Sequence, residues 1–566
     1  MVFGRRAVRF FAPATVAVLV AAFAAATASA APPKGVSMEG TGPQPPGLGL
    51  FSEAALAQEQ CADNGHTRGS YDGGGPWCVN PWPEGKSNGG ATAPGVTATG
   101  VKVVFYLPND QMIAASTSPK PTNQATGERV APADAVRDYA TAYQYMQEHN
   151  GTWQLWGRKP VIETVTATGT DEAAQRADAV TVIAEKPFMV IDATATSGGA
   201  NVFTTAVAQK KIVVASPSTT AENGTAQAPY RWNSTSDPSA APIVTAAFLG
   251  KSLANRKARW AGDALKDKTR TFGAVYPTDG TFDIDAVKSQ LAKNGSKFTE
   301  TLGFDPANAQ AGSPELATMI GRLKSSGVTS VVLFAPRTVV QELMTLATSQ
   351  DYFPEWVYTG YDYQEYVGVV RMNDPKQMVH AFGLAQIGPY LTDMSTSLGP
   401  ASSWYWGTTQ GASWPGASGG MEFLYAAMHY AGPTLTAKNI EKGLFAAPSE
   451  LRAAVPQIGK WGYGKTVGMP YEVRASNGTD RALIWWDPDT VGLAVGTTTA
   501  AQGVWEFLNN GVNVGYSDFT KAEPKFFDKS ASVVTRSALD YYPNHTAPTP
   551  VPCPECPSQG GPGVSS

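Results

Sequence analysis

Three groups of residues in this 566-residue chain have the types and spacing to do chemistry. The first is Gly416-Ala417-Ser418-Gly419-Gly420, the Gly-x-Ser-x-Gly spacing with which hydrolases hold a nucleophilic serine on a strained turn. That turn needs a buried strand before it and a histidine after it. Thr408–Pro415 does not alternate as a strand would, His429 falls inside the next helical pattern, and His545 sits in a Pro/Ser/Gly-rich tail. A glycine-rich lead into a helix from Met421 to Tyr430 fits better, and a secreted serine hydrolase using Ser418 stays as the enzyme alternative. The second group, Gly250-Lys251-Ser252, ends like a phosphate loop. However, Thr245 stands where the first glycine is required, and the segment continues a helical pattern that begins after Asp237-Pro238. The third group is the four cysteines, in two local couples, Cys61 with Cys78 and Cys553 with Cys556.

Outside the cytoplasm each couple is expected to close a small disulfide loop. The rivals are a zinc site built from Cys61, His66 and Cys78, or redox chemistry at Cys553-Pro-Glu-Cys556. Five scattered histidines serve zinc poorly, and a redox Cys-x-x-Cys needs a helix N-terminus beside a sheet rather than prolines. No zincin motif, EF-hand loop or dinucleotide fingerprint occurs, so no metal and no cofactor is expected.

What remains is a set of polar residues at the ends of apolar runs. Those runs are Val101–Leu107, Pro160–Val165, Phe188–Ile191, Ile212–Ala215, Phe272–Tyr276, Phe298–Phe304, Ser330–Ala335 and Trp356–Thr359, and helix-period segments separate most of them. Pro132–His149 is one such segment and ends at Asn150-Gly151. Another starts at Thr170, a third follows Ser313-Pro314-Glu315, and a fourth follows a Thr338/Gln341 capping box. Strand–helix–strand alternation requires parallel sheets with long crossovers, hence an α/β fold. Ligands of such sheets bind beyond the carboxyl ends of the strands. Thr196 and Ser197 follow the third run and Thr219 and Thr220 the fourth, where hydroxyls and backbone donors would meet a carboxylate or amide. The same residues also suit helix caps and turns for purely local reasons. Tyr276 and Asp279 end another strand, and Arg337 follows the one ending at Ala335.

Composition narrows the partners. Lys+Arg total 43 against Asp+Glu 47, a net charge of −4, which leaves no basic field to neutralise phosphates and argues against nucleic acid. With 43% hydrophobic residues the chain has enough apolar material for more than one lobe, and it shows no repeat of solenoid or propeller period. Arg5, Arg6 and Arg9, the apolar run Ala14–Ala26 and Ala28-Ser29-Ala30 together predict a cleaved signal peptide over 1–30. No cysteine follows that cleavage point and no later segment is long and apolar enough to span a bilayer, so a secreted or periplasmic protein is expected. Residues 31–98 are predicted to be a mobile Pro/Gly-rich extension, and the stretch from Tyr542 to the end disordered.

The strings Val190-Ile191-Asp192-Ala193-Thr194-Ala195-Thr196-Ser197 and Ile212-Val213-Val214-Ala215-Ser216-Pro217-Ser218-Thr219-Thr220, with Tyr230-Arg231-Trp232-Asn233, Tyr425–Gly432 and Ile440–Leu444, carry a resemblance. In order and spacing, over roughly residues 100–500, they resemble the leucine/isoleucine/valine-binding family of type I periplasmic binding proteins. The resemblance implies two Rossmann-like lobes with parallel sheets, joined by a hinge of three crossing segments and closing over a ligand. The boundaries it implies are 99–238 and 389–460 for the first lobe, 239–388 and 461–505 for the second, and 506–566 for a C-terminal extension. It also implies that Thr196, Ser197, Thr219 and Thr220 grip a ligand carboxylate while Asp362, after the strand ending at Thr359, pairs with the amine and Tyr361 stacks on or hydrogen-bonds the ligand. The expected partners are a small polar ligand, amino-acid-like or an amide, and an ABC permease, with the protein a monomer. A sensor or scavenger without a transporter is the neighbouring reading. One departure stands out: Leu107-Pro108-Asn109-Asp110 opens an insertion reaching about Val130 in place of a short Gly-rich loop, so ligand identity does not carry over.

Overall fold

The computed structural model describes residues 47–563 apart from 51, 63–64, 70–74, 116–119, 124–125, 195–200, 218, 236, 238, 279–281, 307–308, 310–311, 362–363, 367–369, 390–400, 408–410, 448–449, 452–459, 465–468, 476–478, 494–499 and 536–550. The segment 1–30, predicted to be a signal peptide, and residues 31–46 of the predicted extension therefore lie outside the described residues.

Val- and Ile-rich runs buried on both faces form parallel sheets, since β-branched side chains pack well on a surface covered from both sides. In the first lobe β1 (Gly100–Leu107), β2 (Lys159–Thr166), β3 (Met189–Asp192), β4 (Val213–Ala215) and β5 (Arg231–Trp232) lie in the order β2-β1-β3-β4-β5, all parallel. In the second, β6 (Phe272–Pro277), β7 (Phe298–Phe304), β8 (Ser330–Leu333), β9 (Glu355–Tyr358) and β10 (Ala381–Ala385) repeat that order as β7-β6-β8-β9-β10. Three antiparallel strands, β11 (Ala482–Gly492), β12 (Ala501–Leu508) and β13 (Ser532–Val534), extend this sheet beyond β10.

Alternation along each strand divides each core into two layers. Val103 and Phe105 face the helices Pro132–Asn150 and Pro415–Ala431, while Val104 and Tyr106 face Glu172–Ala184 and Asn201–Gln209. Across the second sheet, Val331 and Trp356 pack under Pro314–Ser325 and Arg337–Ser349, and Val332 and Val357 under Ala240–Phe248 and Ile284–Lys293. The chain passes between lobes after β5, between β10 and Ala401, and before β11. The first and third passages are bonded to each other: Asn233 N–H donates to the Arg474 carbonyl at 2.7 Å, and the Tyr471 hydroxyl donates to Asp237 at 2.5 Å.

Several local expectations change. Tyr471–Arg474 and Ala482–Trp486, which read from the sequence as a two-stranded piece, do not pair with each other. Val473 bridges Gly464, while β11 finds β10 and β12, longer partners with apolar faces to match. The Thr338/Gln341 box does not form, because Pro336 takes the extended N-cap position and the helix opens at Arg337. The helix expected from Met421 begins at Pro415, and its glycines are there for packing. A Cβ on Gly420 would lie 2.2 Å from Ile191 Cγ2, and one on Gly419 2.5 Å from the Ser234 carbonyl oxygen.

The described parts of the two extensions are docked rather than loose. Leu48, Leu50, Trp77 and Val79 are buried in the first-lobe core. Arg158 donates to the carbonyls of Asn88, Gly90, Thr97 and Pro433, which answers the backbone acceptors a Pro/Gly-rich segment leaves open. Both expected disulfides, Cys61–Cys78 and Cys553–Cys556, are formed, and residues 551–563 lie against the same lobe. Among the described residues no helix is long and apolar enough to cross a membrane, and no group of His, Cys, Asp and Glu is arranged to hold a metal.

Candidate functional site

In the order 2-1-3-4-5, the first strand sends its crossover one way and the third the other, so the loops at their carboxyl ends diverge and leave a crevice. This chain has that arrangement twice. In the first lobe the crevice lies between the loop after β1, Pro108–Asn109, and the loop after β3, Ala193 onward. In the second it lies between the loop after β6, from Thr278, and the loop after β8, from Phe334. β5 runs directly into the first passage and β10 into the second, so both carboxyl edges are the ones from which the chain crosses between lobes.

Of the eight ligand candidates, Thr219, Thr220, Tyr276 and Tyr361 are described, and all four sit at these carboxyl edges. Thr196, Ser197, Asp279 and Asp362 lie outside the described residues. The two described threonines have internal duties. Thr220 is the N-cap of Ala221–Ala226, accepting from Asn223 N–H at 3.2 Å. Thr219 is buried, and its hydroxyl accepts from Arg231 Nε at 3.3 Å.

Three residues that sequence reasoning passed over hold these loops in place. Asp192, last in β3 and fully buried, accepts Thr194 N–H at 2.9 Å, the Thr194 hydroxyl at 2.6 Å and the Ser216 hydroxyl at 2.8 Å. It thereby ties the loop after β3 to the loop after β4. Burial pushes its carboxyl above the ordinary value, against the pull of those hydrogen bonds and the Arg231 charge. Arg231 donates to Thr219, Thr205, Gln227 and Asn201, all neutral acceptors, and burial brings its guanidinium down to about 10. Asn233 donates to the Pro217 and Thr219 carbonyls at 2.9 and 3.0 Å. An acid two residues before a threonine at a strand end is the signal that would have marked Asp192.

The second-lobe edge is built differently. Gln364 donates to the Leu333 and Ala335 carbonyls, and the Thr359 hydroxyl donates to Leu333, lashing the loop after β9 to the loop after β8. Four rings gather on it: Phe282 lies 4.6 Å from Phe334, 5.7 Å from Tyr361 and 6.1 Å from Tyr276, centroid to centroid. Glu365, fully buried, accepts Gln386 and Ile387 N–H through Oε1, while its Oε2 has no hydrogen-bond partner among the described residues. Burial raises this carboxyl too.

No protein-family model matches the chain, and no curated protein matches it. It is similar to solved structures. One is described as a putative branched-chain amino acid ABC transporter from Rhodospirillum rubrum, at 12% identity, covering 68% of this chain and 97% of that one, with a TM-score of 0.44. Another is a leucine-, isoleucine-, valine-, threonine- and alanine-binding protein from Brucella ovis, at 10% identity, 74% and 96% coverage and a TM-score of 0.46. A third is a solute-binding protein from R. palustris in complex with benzoate, at 11% identity, 75% and 100% coverage and a TM-score of 0.44. The two-lobed architecture stands on the strand order and the passages described above.

The remaining motifs find structural employment. Ser418 lies in the first turn of Pro415–Ala431, with its N–H on the Trp414 carbonyl, rather than on a strand-to-helix elbow. His429 is eleven residues further along the same helix, roughly 16 Å at 1.5 Å per residue. It is buried; its Nδ1 accepts from Gln154 N–H, so Nε2 carries the proton and donates to the Trp77 carbonyl, and burial brings the ring down to about 4. Lys251 and Ser252 occupy the π-helical turn Leu249–Leu253 and donate to the carbonyls of Tyr516 and Thr520.

Proposed function

We propose that this chain is an exported solute-binding protein that captures a small polar, amino-acid-like ligand between its lobes and presents it to an ABC importer. The observation that carries this reading is the duplicated 2-1-3-4-5 order, with both crevices at the edges where the chain crosses between lobes. Thr196, Ser197, Thr219 and Thr220 would receive the carboxylate, helped by the buried Arg231 charge behind them. Asp362, Asp279 and Tyr361 would receive the amine, and the rings of Tyr276 and Phe282 suit the apolar part of the ligand. Binding to both edges favours a closed form, which the membrane partner would recognise. The signal peptide over 1–30 supplies the route out of the cytoplasm, and the protein acts as a monomer.

A thermal-shift panel of amino acids, amides and small carboxylates tests this. The reading expects a stabilising ligand whose effect is lost in Asp362→Ala and Tyr361→Ala, each of which leaves the unliganded melting temperature in place. No shift across the panel, or a shift indifferent to both variants, overturns it. Ester hydrolysis abolished by Ser418→Ala would favour the enzyme alternative.

A further inference from the structure

The C-terminal Cys553-Pro-Glu-Cys556 loop does more than finish the chain. Residues 551–563 rest on an aromatic face of the first lobe made by Tyr145 and His149 of the helix Pro132–Asn150 and by Trp404 and Tyr405 of Ala401–Trp406. Trp404 Nε1 donates to the Val551 carbonyl at 2.9 Å, the Ser558 hydroxyl donates to the Trp404 carbonyl, and the Tyr145 hydroxyl donates to Glu555 at 3.1 Å. His149 Nε2 lies 3.0 Å from the Pro552 carbonyl.

Within 551–563 the only fully buried side chains are Cys553 and Cys556, in the same core cluster as Trp404 and Tyr405. The disulfide is therefore both the hydrophobic plug that meets the rings and the closure that shapes the segment around it. Cys556 N–H returns to the Cys553 carbonyl, Cys553 N–H to the Gln559 side chain, and Gly561 N–H to the Cys556 carbonyl. So short a segment has no other core from which to recover its ordering entropy.

Its place in the chain gives the contact a consequence. β13, ending at Val534, belongs to the second lobe and Val551 to the first, so the docked tail joins the lobes once more. The helix it clamps, Ala401–Trp406, is where the chain re-enters the first lobe after β10.

We propose that residues 551–563 form a redox-gated latch: the oxidised tail seats on the aromatic face, and thiol–disulfide exchange releases it. A dithiol reductant supplies the electrons. When the tail lifts transiently and exposes the pair, the reductant's thiolate attacks one sulfur to give a mixed disulfide, and its second thiol displaces the remaining cysteine, so that the tail no longer reseats. Two protons and two electrons pass to Cys553 and Cys556, and the reductant leaves as its own cyclic disulfide. Reduction unties the tail and uncovers Tyr145, His149, Trp404 and Tyr405. Linkage requires the converse as well, that seating the tail protects the disulfide.

The test compares the full-length oxidised chain, the same chain in dithiothreitol, and Cys553→Ser/Cys556→Ser, which keeps Cys61–Cys78. Amide hydrogen exchange over 551–563 is the readout. Loss of ring closure is expected to reduce protection there by roughly twentyfold in the latter two samples, with the protection of β1–β12 unchanged. Trp404→Ala, with the cysteines intact, should speed reduction of Cys553–Cys556 relative to Cys61–Cys78. Equal protection in all three samples, or a reduction rate indifferent to Trp404→Ala, overturns the latch.

Discussion

The two lobes share a strand order and differ in how they finish the carboxyl edge that faces the passages. In the first lobe the four described hydroxyls have internal partners: Asp192 binds Thr194 and Ser216, Arg231 binds Thr219, and Thr220 caps a helix. In the second the edge is lined by rings, and a buried carboxyl, Glu365, keeps one oxygen without a hydrogen-bond partner among the described residues. Among the described residues one edge is thus polar and internally hydrogen-bonded, the other ringed by aromatic side chains around a buried carboxyl with one open oxygen. A common topology fixes where a ligand can sit, and the loops decide what each side offers. The lobes also anchor their far ends differently. The second buries an ion triad, Arg270 between Glu355 at 2.7 Å and Glu523 at 2.9 Å, whereas the first relies on Arg158 and backbone carbonyls.

The largest effect should come from breaking that triad. Arg270→Met leaves the buried Glu355 without its counter-ion, while Glu523 keeps Arg259 at 3.0 Å, and is expected to cost the second lobe about 3–5 kcal/mol, measured by denaturant unfolding. A loss no greater than that of a surface substitution would remove this contrast between the lobes. Next, Asp192→Ala leaves the Thr194 and Ser216 hydroxyls without their acceptor and should cost the first lobe about 2–3 kcal/mol, with hydrogen exchange rising in the loops after β3 and β4. If only one loop loosens, Asp192 does not tie them together.

These two predictions also mark what the sequence made legible. Eight apolar runs gave eight parallel strands: six are largely buried and read as continuous apolar runs for that reason, while the edge strands β2 and β7 are mostly uncovered. The Pro and Gly of Ser313-Pro314 and Asn150-Gly151 set helix ends by local sterics alone, as found. Partnerships decided at long range were not legible. Ala482–Trp486 has strand character whichever neighbour it takes, and its pairing with Ala381–Ala385 depends on a passage through the first lobe. The extension over 31–98 reads as mobile because its composition is that of a linker, yet in its described part Arg158 and Tyr430, far along the chain, satisfy backbone groups. For the site, the strand ends were legible and the supports behind them were not. Arg231 and Asn233 were visible as a string, but their task of holding Thr219 appears only when β4 and β5 pair.

A smaller effect separates capping from ligand contact at Thr220. Thr220→Ala should cost about 1 kcal/mol of stability through the lost cap, and Thr220→Ser should restore it. A variant with unchanged stability would mean the hydroxyl serves something other than Asn223 N–H. The smallest effect is one of pH. Burial lifts the Glu365 carboxyl above its ordinary 4.5, so the folded state holds that proton more tightly than the unfolded chain. The contribution is complete below about pH 4.5 and is lost as pH rises through the folded-state value. Glu365→Gln should therefore flatten the decline of stability over that interval, followed by melting temperature against pH. An unchanged slope would mean the open oxygen is not the proton's site.

The central claim is that both carboxyl edges close on one small molecule, and hydrogen exchange with and without the strongest ligand from the panel tests it most directly. Protection should rise together in 193–200 and 216–220 of the first lobe and in 278–283 and 359–365 of the second. Protection confined to one lobe, or appearing away from these loops, would contradict it.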